Sequence, residues 1–153
     1  MENNSFKMEQ FDMAVLNGTA TWWQMYLPSG EVFFGEAKTK MLGYTDNIFK
    51  NYQDFVNIVH PEDMEKVMQA MRDHLEGKTG LYETTYRIKH KDGEYINFYD
   101  CGQITKRDGE NLVVSGFVMK ILDGIDVIEQ MKDFKELILS GNPPIIELFS
   151  KIK

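Results

Sequence analysis

The chain has 153 residues, enough for one domain able to bury about two thirds of its unfolded surface. It is 42% hydrophobic and 27% charged, an ordinary globular balance, and no apolar stretch approaches the ~20 residues that cross a bilayer. Its 24 acidic against 17 basic residues give a net charge of −7 with no Lys/Arg cluster, which argues against nucleic-acid binding through phosphate neutralisation.

Residues Ser5 to Asn17 read as a short amphipathic helix, with Phe6, Phe11, Met13, Ala14 and Leu16 apolar and Gly18 as its stop. The opening segment MENNSFKMEQF has neither the basic start nor the apolar core of a secretory signal, so a cytoplasmic location is expected. Thr19 to Leu27 (TATWWQMYL) is rich in aromatic and β-branched residues and predicts a strand. Pro28-Ser29-Gly30 turns the chain, and Glu31 to Gly35 pairs back as a first hairpin.

From Glu36 to Leu75 the period becomes helical. Ala37 to Tyr44 predicts a short helix ending near Gly43, and Asp46 to Val59 a mixture of short helical turns. Pro61 occupies a first helical position with Glu62 and Asp63 behind it, a clear start signal. The helix that follows carries Met64, Val67, Met68, Met71 and Leu75 on one stripe and stops at Gly77.

The tract from Tyr82 to Leu122 is the longest extended run. Asp92-Gly93 and Asp108-Gly109, both strong hairpin signals, divide it into three strands of an antiparallel meander. In the first strand Tyr82, Thr84, Tyr86 and Ile88 share one face. In the second, Ile96, Phe98 and Ile104 oppose Tyr95, Tyr99 and Cys101; in the third, Leu112, Val114 and Val118 oppose Val113, Phe117, Met119 and Ile121. Both faces are apolar, so the second face needs a cover: the chain's own terminal helices or a partner.

A further helix is predicted from about Ile125 to Leu139, with Val127, Met131, Phe134 and Ile138 at alternating spacings of four and three. Ser140 to Pro144 (SGNPP) breaks it, and Ile145 to Ile152 supplies a last turn or two. The sum is an α+β domain: a five-stranded antiparallel sheet with helices inserted between strands two and three, flanked by helices at 1–17 and 123–153.

Over Gly18 to Leu122 these residues resemble the PAS domain in its form with a following PAC motif. The matching words are Gly18…Trp22, Leu42-Gly43-Tyr44, His60-Pro61-Glu62-Asp63, Tyr86-Arg87-Ile88, Lys91-Asp92-Gly93 and Gly116-Phe117-Val118. One such word is weak, but six in order at family spacing are specific. Three departures stand out. Many relatives have Trp at Asn97, and the triplet that commonly links the core to an output helix, Asp-Ile-Thr, is Lys120-Ile121-Leu122 here. Pro143-Pro144 also interrupts a region that in relatives often continues into a coiled coil.

The resemblance implies a sensory or interaction module, not an enzyme, attached in its parent to a histidine kinase, a cyclic-di-nucleotide enzyme or another effector of a two-component or related pathway. The ending FSKIK fits a piece of such a longer protein. The resemblance also implies a ligand, where one binds, between sheet and helices. Trp23, Met25, Phe34, Met41, Tyr86, Phe98 and Val114 are the inward candidates, with Thr84, Asn97 and Asp100 as polar positions that an apolar core does not need. The same apolar residues also describe a filled core, which is the preferred reading of them.

No metal or cofactor other than an unidentified small ligand is expected. Haem-binding relatives use a helix histidine, but His60 sits at a helix start, His90 at a hairpin turn and His74 beside Asp73, all settings that need no iron. Flavin-adduct relatives use a cysteine in a helical Asn-Cys-Arg setting, whereas Cys101 lies in a strand and, being single, also excludes an intramolecular disulfide or multi-cysteine zinc site. No Walker loop, dinucleotide glycine fingerprint, His-Glu-x-x-His or Gly-x-Ser-x-Gly is present. Three functions follow as expectations: a cytoplasmic signalling module that homodimerises through its flanking helices, a small-molecule receptor, or a ligand-free adaptor acting through the outer sheet face at Tyr99 and Phe117.

Overall fold

The computed structural model describes residues 20–44 and 50–121, together with Lys132 and Glu136. The elements, in chain order, are strands β1 (Ala20–Leu27) and β2 (Glu31–Phe34), helices α1 (Glu36–Met41), α2 (Tyr52–Val56) and α3 (Pro61–Leu75), and strands β3 (Tyr82–Lys89), β4 (Tyr95–Asp108) and β5 (Asn111–Lys120). The five strands form one antiparallel sheet in the order β2-β1-β5-β4-β3, so the α+β architecture expected from the sequence is the one observed. The helices expected over Ser5–Asn17 and, apart from exposed, helical Lys132 and Glu136, over Ile125–Leu139 and Ile145–Ile152 lie outside the described residues.

Local chemistry sets each boundary. The Gly30 N–H donates to the Tyr26 carbonyl at 2.7 Å and closes the first hairpin. The two Asp-Gly turns carry Gly93 and Gly109 at φ +97° and +59°, which a β-carbon disfavours. Helix α1 ends at Met41 rather than Tyr44. Gly43 is left-handed at φ +80°, and the N–H groups of Gly43 and Tyr44 turn back to the carbonyls of Lys40 and Thr39, both at 3.0 Å. Asn51 and Asp54 form a reciprocal capping box on α2. At α3, His60 Nδ1 accepts from the Glu62 N–H at 3.1 Å and Pro61 sits where its missing N–H costs nothing.

The start of α3 is tied to β3 by charge. Asp63 accepts from the Arg87 backbone N–H at 2.7 Å, from its Nε at 2.9 Å and from its terminal nitrogen at 2.9 Å. The guanidinium holds the Asp63 carboxyl well below the usual carboxylate range, chiefly through these side-chain hydrogen bonds. The His60 N–H adds a bond to the Arg87 carbonyl at 2.8 Å. Thus the words His60-Pro61-Glu62-Asp63 and Tyr86-Arg87-Ile88 are two halves of one helix–strand clamp.

The core lies between the helices and the sheet's inner face. Phe98, Ile88 and Val114 are fully buried there, with Leu42, Phe55 and Val67 from the helical side. The outer face is buried as well: Tyr99, Cys101, Phe117 and Met119 are each no more than 3% exposed. It is not uniformly apolar. Near the bulge between Ile104 and Lys106, Thr105 Oγ and Ser115 Oγ lie 2.8 Å apart, Gln24 donates to Ser115, and Tyr26 donates to Gln24.

Candidate functional site

The sheet register places four residues in one inward row across four strands: Trp23 on β1, Gly116 on β5, Gly102 on β4 and Tyr82 on β3. The two glycines are the floor on which the Trp23 indole lies. A β-carbon on Gly116 would meet Trp23 Cζ2 at 2.6 Å, and one on Gly102 would meet it at 2.9 Å. With nothing standing up from the middle strands, the indole crosses β5, reaches Asp100 on β4 and meets Tyr82 edge-on with ring centres 5.8 Å apart.

Asp100 is 4% exposed and faces the core. Trp23 Nε1 donates to its Oδ1 at 2.6 Å, and the Tyr86 hydroxyl donates to its Oδ2 at 3.0 Å. A carboxylate out of water needs such donors, since burying it without partners costs several kcal/mol. Burial pushes the Tyr82 and Tyr86 hydroxyls well above their ordinary range, and the charge of Asp100 adds to the shift. Tyr52 is shifted upward by the same two causes, opposed by Arg72. All three phenols therefore stay protonated.

Between this carboxylate and the helices is a cavity of about 30 Å³ lined by Trp23, Met25, Val32, Phe34, Tyr52, Phe55, Met71, Tyr82 and Asp100. Of the nine pocket residues expected from the sequence, Trp23, Met25 and Phe34 line it. Met41, Thr84, Tyr86, Phe98 and Val114 are buried nearby but do not border it. Asn97 is corrected. It stands beside Arg87 in the register, on the face opposite Phe98, and is exposed. The two-residue period of β4 turns it outward, to a surface groove of about 300 Å³ shared with Lys66, Thr85, Arg87 and Ile121.

Sequence reasoning marked Asp100 as a polar position to watch and missed Val32, Tyr52, Phe55, Met71 and Tyr82 as cavity walls. Tyr82 could have been found, since it shares the inward parity of Tyr86. Tyr52 and Phe55 lie in a five-residue helix too short to show a period.

The three histidines have structural work. His60 caps α3, and His90 Nδ1 accepts from the Asp92 N–H at 3.1 Å. His74 is buried; its Nε2 accepts from the Ile104 N–H at 3.0 Å and its Nδ1 lies 3.2 Å from the Thr79 carbonyl. That pattern ties the end of α3 to the bulged strand. Among the described residues no helix is long and apolar enough to cross a membrane.

Comparison with known proteins gives this geometry its place. The family model described as the PAS fold matches residues 31–118. The chain belongs to the PAS family. The N-terminal domain of a diguanylate cyclase with PAS/PAC sensor from Marinobacter aquaeolei is 26% identical, with a TM-score of 0.59, covering 66% of this chain and 94% of that one. A sensory box histidine kinase/response regulator from Burkholderia thailandensis shares the fold at 21% identity and a TM-score of 0.59, over 86% of this chain and 98% of that one. A domain of a putative light and redox sensing histidine kinase from Haloarcula marismortui shares it at 23% identity and 0.58, over 72% and 97%. No curated protein matches the chain. In fold this PAS domain resembles domains of sensory histidine kinases and of a diguanylate cyclase protein.

Proposed function

We propose that this PAS domain is a non-catalytic, cytoplasmic input module of a signalling protein that homodimerises through its flanking segments and passes its signal to an attached kinase or cyclic-di-nucleotide enzyme. The carrying observation is the sensory PAS fold, shared with the sensor domains of kinases and a cyclase. The amphipathic patterns of Ser5–Asn17 and Ile125–Leu139 support the dimer, because a stripe of apolar residues needs a surface to cover it. Sedimentation equilibrium is expected to show a dimer for the full chain and a weaker one after deletion of residues 1–17. A strict monomer in both would overturn the assembly.

A receptor reading is favoured by one feature. A carboxylate at the wall of an otherwise apolar cavity is an orienting group of the kind that small-molecule sites use, and a purely structural core has no need of it.

A further inference from the structure

The cavity beside Asp100 has a definite chemical character. Five of its nine lining residues are aromatic: Trp23, Phe34, Tyr52, Phe55 and Tyr82. Two more are methionines, the one carboxyl group is that of Asp100, and no Lys, Arg or His is among the lining residues. Aromatic rings attract a cation through their electron-rich faces, most strongly where water is excluded. A buried carboxylate attracts it further, and its own desolvation has already occurred on folding. The same walls repel anions and give a neutral alcohol no charge to meet.

Size narrows the class. A volume of about 30 Å³ exceeds the roughly 10–15 Å³ that one water centre occupies, so two heavy atoms fit and a drug-sized molecule does not. Strongly hydrated metal ions want several oxygen ligands, whereas Asp100 is the one carboxyl-bearing residue among the lining residues and the wall is almost wholly apolar. Phe34, Tyr52 and Met71 are only half-buried and form the rim through which a ligand would enter.

We propose that the cavity takes a small organic cation of the primary ammonium type, its nitrogen against Asp100 and its carbon against the aromatic rings. This rests on reading the cavity as the ligand site of the sensor.

The test uses the full chain at constant ionic strength, titrated with methylammonium chloride, sodium chloride, methanol or dissolved xenon. Tryptophan emission and the thermal midpoint are the readouts. Methylammonium is expected to raise the midpoint and change the emission saturably, while sodium and methanol do neither. In Asp100→Asn the dissociation constant is expected to rise at least about tenfold. Equal responses to methylammonium and sodium, or unchanged affinity in a folded Asp100→Asn protein, would overturn the cation assignment. If Asp100→Asn does not fold, Met71→Trp fills the rim and is expected to abolish the response; retained affinity there also overturns it. Saturable binding of methanol or xenon without methylammonium refutes the cation but leaves the cavity as a site. No response to any probe refutes both.

Discussion

Both faces of the sheet bury residues, but they are differently built, and at β3 the outer face is wet, with Glu83, Thr85 and Lys89 exposed. The inner face packs Phe98, Val114, Ile88 and Tyr86 against helices and admits one charge, Asp100, satisfied by an indole and a phenol. The outer face buries Phe117, Met119, Tyr99 and Cys101 at one end and carries at the other a neutral chain in which Ser115 and Gln24 are buried, Tyr26 is half-buried and Thr105 is exposed. Burial alone therefore does not mark the functional face. What separates them is a buried carboxyl group beside an internal cavity, found on the inner side.

The largest test of that comparison is truncation of matched aromatics. Phe98→Ala is expected to cost about 3–5 kcal/mol in urea unfolding, the usual range for a buried phenylalanine. Phe117→Ala should fall in the same range if its burial reflects equally close packing. A loss below about 1 kcal/mol would show the outer face to be loosely covered and break the symmetry.

Gly116→Ala sharpens the inner side. Its new methyl group would meet the Cys101 carbonyl oxygen as well as the Trp23 indole, so a loss of at least about 1–3 kcal/mol is expected from overpacking. Indole displacement should also weaken the bond to Asp100, visible as a changed tryptophan emission. A folded variant with wild-type stability and emission would remove the glycine floor from the account.

The smallest effect concerns the clamp at the sheet edge. The Asp63 carboxyl is held below its ordinary 3.8, so the stability it contributes is complete above that value and is lost as pH falls toward its lower folded-state value. Asp63→Asn should therefore cost about 1–3 kcal/mol near neutrality, toward the low end because the Arg87 side chain is 38% exposed. The gap between wild type and variant should narrow below about pH 4. A gap independent of pH would mean that the charge of Asp63 contributes nothing.

Much of this was legible in the chain. Alternation in Tyr82, Thr84, Tyr86 and Ile88 gave the inward face of β3, and the Asp-Gly turns gave the meander. The same rule, applied strictly, turns Asn97 away from Phe98. The site was less legible because its members come from six elements. Trp23 and Asp100 are 77 residues apart in sequence, and no local pattern joins them.

Sequence by itself determined the α+β class, the strand boundaries and the family, because turn chemistry and two-residue periodicity are local and survive without knowledge of neighbours. Tertiary structure decided that Gly102 and Gly116 lie under Trp23, that Asp63 and Arg87 close on each other, and that a carboxylate borders the cavity. These are matters of register between strands far apart in the chain, where a shift of one residue would send Asp100 to the other face.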